Sequence, residues 1–223
     1  MRTRAGRSWS GVLVAALVAC VALGSALAAP TGRKADDVTI AARPSVVGAD
    51  HPITLYGSVR SRRPGETVEI ETRDCGQTFF RGFAATHTDA GGTWSSEFFP
   101  GITTEVRAVW KGRKSRAVKV FQRAMLRFAP KASDRTRFVV SVVARAQFWR
   151  RHIVVERFDA RRSQWRRYRR VVLTKQNAPG EFVWTSGELS ARLPKGTLLR
   201  AVLPASQAGP CYLTSTSASV RTD

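Results

Sequence analysis

Ile53-Thr54-Leu55-Tyr56-Gly57-Ser58-Val59, then Arg62-Arg63-Pro64-Gly65, then Thr67-Val68-Glu69-Ile70-Glu71-Thr72: the reading of this stretch decides the fold. In its last run Val68 and Ile70 fall on one side and Glu69 and Glu71 on the other, the two-residue period of a strand with one wet face. The Pro-Gly segment between the runs is turn chemistry, because proline presets φ and glycine tolerates positive φ. Working outward, residues 38–43 read as extended, and residues 105–110 and 117–121 as strands separated by Lys111-Gly112-Arg113-Lys114. Thr88-Asp89-Ala90-Gly91-Gly92-Thr93-Trp94 reads as a hairpin whose glycines supply the positive φ of a tight return. About seven strands thus precede residue 123, the number in an immunoglobulin-type sheet pair. No amphipathic helix stands out between Val38 and Arg221. Many short strands at even spacing predict a sandwich or barrel.

The second half repeats the first. Thr67-Val68-Glu69-Ile70-Glu71 corresponds to His152-Ile153-Val154-Val155-Glu156 at an offset of 85, and Phe80 and Phe83 fall on Trp165 and Tyr168 at the same offset. Thr104 with Arg107-Ala108-Val109 falls on Thr197 with Arg200-Ala201-Val202 at an offset of 93, so the second copy carries an insertion around residues 176–193, where Asn177-Ala178-Pro179-Gly180 replaces the first copy's turn. The short junction between the copies, near residues 121–127, predicts a rigid pair rather than beads on a string. Trp94, Trp110, Trp165 and Trp184 are expected mainly inside or between the domains, and the alignment gives Trp165 and Tyr168 core-like partners in Phe80 and Phe83.

Taken together, the runs 53–59 and 67–72, the turn 88–94 and the strand 104–110 resemble secreted bacterial Ig-like or fibronectin type III-like domains. The resemblance covers nearly all of the chain beyond its first segment, and its motifs belong to the fold rather than to a site. It implies tandem modules for adhesion, spacing or ligand binding, and no catalytic residue. The expected fold class is all-β: two tandem Ig-like antiparallel β-sandwich domains, residues 35–123 and 124–223, after an N-terminal signal peptide over residues 1–28.

That signal is read from Arg2, Arg4 and Arg7 followed by an unbroken small and apolar run over residues 11–29. A charged start plus an apolar run is a secretory signature. Ala26-Leu27-Ala28 offers small residues where a signal peptidase needs them, so cleavage before Ala29 leaves 195 residues. Two rivals stay open. The run of 19 residues is long enough to serve as an uncleaved membrane anchor, and Leu17-Val18-Ala19-Cys20 resembles a lipobox, which would lipid-anchor the chain at Cys20, although Val21-Ala22-Leu23 continues the apolar run where such proteins turn polar.

The net charge is +21, and +18 once the signal has left. Arginine dominates the excess, with only seven lysines. Composition bias is the plain explanation; the functional one is attraction to an anionic partner, since summed charge drives non-specific association and fast encounter. An anionic envelope polymer or another surface protein fits export, and nucleic acid is the least favoured partner. After the signal, Cys75 and Cys211 are the only cysteines, one in each half. In an oxidising compartment they could pair and staple the halves together; free buried thiols are the alternative, because pairing needs a distance that spacing does not supply.

Chemistry-bearing motifs are sparse. His51, His87 and His152 show no zinc spacing, and His87 with Asp89 reads as a solvated turn. One carboxylate near Thr86, Thr88 and Asp89 is too few for calcium. No Gly-x-Ser-x-Gly elbow and no Cys with a local His occurs. A hydrolase with a dispersed carboxylate pair stays open, but the expectation is no enzyme, no metal and no cofactor. The segment that stands out is Arg161-Arg162-Ser163-Gln164-Trp165-Arg166-Arg167-Tyr168-Arg169-Arg170. Arginine forks suit phosphate and carboxylate oxygens, and aromatic rings can stack on a sugar or base. In a regular strand Trp165, Arg167 and Arg169 share one face and Arg166, Tyr168 and Arg170 the other; the three-residue spacing of the aromatics predicts a bulge or turn between them. Arg161, Arg162, Arg166, Arg167, Arg169 and Arg170 are therefore the candidate anion-binding set, which Arg145, Arg150, Arg151 and Arg157 could enlarge.

Overall fold

The computed structural model describes residues 36–48 and 51–222. The expected signal, its cleavage point and both anchoring alternatives lie outside the described residues. No helix among the described residues is long and apolar enough to cross a membrane. Residues 35–223 form one compact unit.

The described residues to Gln122 form nine strands: β1 (Ala41–Arg43), β2 (Val46–Val47), β3 (Ile53–Ser58), β4 (Thr67–Asp74), β5 (Arg81–His87), β6 (Thr93–Phe98), β7 (Thr104–Trp110), β8 (Arg113–Lys114) and β9 (Val118–Gln122). One sheet has the order β1-β3-β6, and the other β2-β9-β7-β4-β5 with β8 folded back on β7. Ile53 and Leu55 point from the first sheet, and Val68, Ile70, Val106, Ala108 and Val120 from the second, into one buried cluster closed by Trp94. The alternation read from Val68-Glu69-Ile70 is thus a core-facing and a wet face.

Beyond it follow β10 (Met125–Lys131), β11 (Asp134–Ala144), β12 (His152–Asp159), β13 (Gln164–Val172), β14 (Lys175–Asn177), β15 (Val183–Ser190), β16 (Leu198–Leu203), a short helix α1 (Ala205–Ala208), β17 (Ser215–Thr216) and β18 (Val220–Arg221). Their sheets run β10-β11-β15-β14 and β13-β12-β16-β17, with β18 also on β16. Phe138, Val140, Val142, Ile153, Val155, Leu199 and Ala201 build their shared core. In each half the chain crosses between two sheets, an all-β arrangement consistent with a β-sandwich. The insertion expected around residues 176–193 contains β14, which has no counterpart in the first half.

The aligned residues make the same contacts. Arg107 Nε donates to Glu71 at 2.6 Å and Arg200 to Glu156 at 2.8 Å. The Ser115 hydroxyl accepts from the Ala108 amide, and the Ser217 hydroxyl from the Ala201 amide, both at 2.9 Å. The ladder slips after Ile70 on one side and after Val155 on the other, leaving Phe83 and Tyr168 as the extra residues of their strands.

Two expectations need correction. Residues 88–94 do reverse the chain, but β5 pairs with β4 and β6 pairs with β3, so the turn crosses between sheets and is not a hairpin. Gly92, at φ 73°, packs there so closely that a Cβ would lie 2.5 Å from the Arg62 Cα. The second concerns the aromatics. Phe83 is 49% exposed and Trp184 38%, while Phe80 and Trp165 are half-buried on outer faces, each beneath an arginine, Arg107 at 4.0 Å and Arg200 at 4.3 Å. Of the aligned four, Tyr168 packs against the second core, and Phe83, though exposed, sets its ring edge-on to the buried Phe98 at 5.0 Å. Backbone periodicity does not reveal that a guanidinium, rather than the opposing sheet, covers a ring.

The halves meet through specific bonds. Cys75 and Cys211 form a disulfide, with Cα atoms 5.4 Å apart and a sequence separation of 136. The Thr103 amide donates to the Cys211 carbonyl at 3.2 Å, the Leu213 amide to the Gln122 carbonyl at 2.9 Å, and the Tyr212 hydroxyl to the Gly101 carbonyl at 3.0 Å.

Candidate anion-binding surface

β13 is an edge strand, with β12 on one side and nothing on the other. Charge on an edge discourages pairing with another chain, which is one physical reason for arginine here. The slip after Val155 sorts the side chains: Arg167 and Arg170 lie opposite Glu156 and Val154, whereas Arg166 and Arg169 lie opposite Arg157 and Val155. Directly opposed residues share a face. Arg167, Arg170 and Trp165 therefore stand on the outer face and Arg166 and Arg169 on the other, which replaces the regular alternation expected from the sequence. All six candidate arginines are exposed.

Their partners divide them. Arg162 and Arg166 both reach Asp159, at 3.8 and 3.6 Å. Arg169 donates to the Ser190 carbonyl at 3.4 Å. Among the described residues no carboxylate pairs with Arg161, Arg167 or Arg170. Burial first, and then the Arg170 and Arg167 charges, hold His152 below the usual imidazole range. Trp165 lies beneath Arg200 and 5.3 Å from Phe158, so its ring is part of a packed ladder rather than an open platform.

At the end of the same sheet a cleft of about 660 Å³ is lined by Arg157, Arg161, Lys195 and Arg221, with Asp159 as its one acid. Three pairings assemble it: β12 to β13, β12 to β16 through Arg157 opposite Leu199, and β16 to β18 through Leu198 opposite Arg221. Sequence reasoning singled out Arg157 and Arg161 but missed Lys195 and Arg221, which no local signal connects to them. Charge is concentrated in this half: residues 124–223 hold 19 Lys and Arg against 6 Asp and Glu, residues 35–123 hold 13 against 10.

Two other clefts bring acids together. Glu66 and Glu69 share one of about 540 Å³ with Lys111, whose ammonium donates to Glu66 at 2.7 Å and, with the Ser61 hydroxyl, holds that carboxyl below the usual range. Glu105 and Asp74 share another of about 240 Å³, where Arg73 pairs with Glu105 and the Thr104 hydroxyl donates to Asp74 at 2.7 Å. Partners that favour the ionised form make Glu66 a poor proton donor at neutral pH. Between the halves a cavity of about 140 Å³ is lined by Gly101, Gln122, Arg145 and Tyr212, and burial there pushes the Tyr212 phenol up to about 12. Among the described residues no group of three His, Cys, Asp or Glu could hold a metal ion.

No family model and no curated protein matches the chain. Among solved structures it is similar to the tetra-tandem repeat in the extending region of a large adhesion protein, at 14% identity over 83% of this chain and 49% of that one, with a TM-score of 0.29. It is also similar to a marsupial T cell receptor, at 9% identity over 82% of this chain and 100% of that one, with the same TM-score of 0.29. The chain thus spans about half the length of the adhesion-protein chain. Superpositions this loose carry no argument, and the class rests on strand order: an all-β protein of packed sheets, antiparallel except for the parallel pairing of β2 with β9, consistent with an Ig-like sandwich.

Proposed function

We propose that the chain is an exported, non-catalytic binding module, in which two Ig-like sandwiches, residues 35–123 and 124–223, act as a rigid pair that adheres to, or spaces, partners at the cell envelope or in the medium. The observation that carries this reading is the repeated sheet order with its repeated Glu–Arg–aromatic ladder, on either side of a covalent staple. A disulfide suits an oxidising compartment. The test is expression with the native first 28 residues in a secreting host, followed by mass spectrometry of the product. A disulfide-linked chain starting at Ala29 in the medium is the expected result. A lipid-modified Cys20 or an intact terminus in the membrane fraction would give export with retention, and a reduced, cytoplasmic chain beginning at Met1 would refute export.

A second reading, favoured by the excess of 19 basic over 6 acidic residues after residue 123, is binding of an anionic polymer. Coulombic attraction at exposed residues is screened beyond about 8 Å at physiological salt, so such binding is salt-sensitive. Elution from an anionic polymer column should move to lower salt when Arg166, Arg167, Arg169 and Arg170 become Ser. Unchanged elution rejects that surface. A hydrolase with a dispersed site is the weakest reading, because in each cleft that brings two carboxylates together at least one is engaged, Glu66 by Lys111, Glu105 by Arg73 and Asp74 by Thr104.

A further inference from the structure

We propose that the cleft at the end of the second sandwich, lined by Arg157, Arg161, Lys195 and Arg221, is a specific site for a phosphate-bearing group of a soluble linear polyanion; this rests on the polymer-binding reading and deepens it. Its volume of about 660 Å³ lies within the roughly 300–1,000 Å³ of ligand pockets. The four cations come from separated parts of the chain, and each is exposed. Among the described residues none of them forms an ion pair with a carboxylate. Arg221 is oriented across the cleft by donating to the Gly196 carbonyl at 3.2 Å, which leaves the rest of its guanidinium fork for a ligand.

The one acid in the cleft does not cancel this charge. Asp159 accepts from the Arg161 amide at 3.1 Å and lies near both Arg162 and Arg166, two cations additional to the four. Such an excess calls for a ligand that presents several negative charges in a row, which neighbouring phosphates of a polyphosphate chain supply and a lone carboxylate does not. Guanidinium forks match phosphate oxygens geometrically, while Lys195 adds a point charge.

The surroundings favour a polymer over a membrane. Among the described residues the large exposed apolar side chains are Val46, Tyr56, Phe79, Phe83, Phe99, Trp149, Val172 and Trp184, and none of them lines the cleft. Phe158 and Leu198 within it are half-buried. The site is therefore an open cleft with polar and apolar lining in similar measure, without the projecting rings that anchor a protein in a headgroup layer. Arg167 and Arg170, on the outer face of β13 in the same sheet, then act as a second, less specific contact for further repeats of a long polymer.

The test uses the full secreted chain, with tripolyphosphate as a short probe, long-chain polyphosphate as a polymer, and phosphatidylglycerol vesicles as the membrane alternative. Binding is measured by calorimetry at low ionic strength for wild type, for the cleft variant Arg157→Ser/Lys195→Ser/Arg221→Ser, and for the face variant Arg167→Ser/Arg170→Ser. The cleft variant is expected to weaken tripolyphosphate binding by about tenfold or more, with the face variant within about threefold of wild type and both weaker for the long polymer. Arg157→Lys/Arg221→Lys keeps the charges but loses the forks, and should recover part of the affinity; an unchanged melting temperature in each variant separates lost binding from lost fold. A cleft variant that binds tripolyphosphate like wild type, beside a weakened face variant, overturns the site and leaves polymer binding standing. Wild type that binds neither polyphosphate overturns both, and binding to vesicles alone overturns the choice of a soluble ligand.

Discussion

Removing the staple by Cys75→Ser/Cys211→Ser should be the largest single perturbation of stability available in this protein. The bond closes a loop spanning a sequence separation of 136. Chain-entropy arithmetic for a loop of that length removes about 17 cal/mol/K from the unfolded ensemble, or about 5 kcal/mol at 25 °C. For a folded region of this size each kcal/mol moves the melting temperature by about 2–4 °C, so the predicted fall is about 10–20 °C. The mechanism also predicts a change of shape. Without the staple the halves stay joined by the continuous backbone at residue 123 and by hydrogen bonds such as Leu213 to Gln122 and Tyr212 to Gly101, each a net stabilisation of about 1 kcal/mol. Those are too few to hold two cores together once one begins to melt. Differential scanning calorimetry of oxidised protein should give one transition, and of the serine variant, or of wild type in reductant, two at lower temperature. A melting temperature within about 2 °C of wild type, in one transition, would refute the claim that the bond couples the halves.

Three further outcomes follow from local physics. The folded state holds the Tyr212 phenol near 12, above its usual value of about 10, so the neutral phenol stabilises the fold fully below pH 10. That contribution of about 3 kcal/mol is lost as pH rises from 10 through about 12, whereas Tyr212→Phe should show a flatter alkaline limb in urea titrations. His152 is held low first by burial and then by Arg170 and Arg167, so NMR titration of Arg167→Ser/Arg170→Ser should find its pKa raised towards, but still below, the usual imidazole value. Because the folded state disfavours the imidazolium, wild type should lose stability as pH falls below about 6.5, and this variant less. Gly92→Ala meets both a positive φ of 73° and the Arg62 backbone at 2.5 Å, and should cost more than about 2 kcal/mol in chemical denaturation; a cost below 1 kcal/mol would mean that the crossing at residues 88–94 is looser than described.

Strands were legible wherever one face is buried and the other wet. The burial of Val68 and Ile70 beside Glu69 and Glu71 follows directly from their alternation, and the repeat offsets pick out residues that make matching contacts, Glu71 with Arg107 and Glu156 with Arg200. The ladder does slip at Tyr168, but the slip leaves Trp165 on the outer face and Tyr168 at the core edge, so the spacing of the two aromatics did not reveal which face each takes. The turn at residues 88–94 shows the limit: its glycines announce a reversal, but whether the returning strand pairs with its neighbour or crosses to the other sheet depends on Trp94 reaching the core. The basic cleft was half legible, since Arg157 and Arg161 lie in one run while Lys195 comes from the turn before β16 and Arg221 from β18, brought together by ladder pairing of β12, β16 and β18.

Read alone, the residues call for strands rather than helices, show matching positions in the two halves, and gather charge in the second. Those are properties of neighbouring residues and of their repetition, set by side-chain alternation, turn propensity and composition. Only the tertiary structure decided which strands share a sheet, that Cys75 meets Cys211 across 136 positions, and that four cations converge on one cleft. These depend on contacts between residues far apart in the chain, whose distances are set when both cores close and not before.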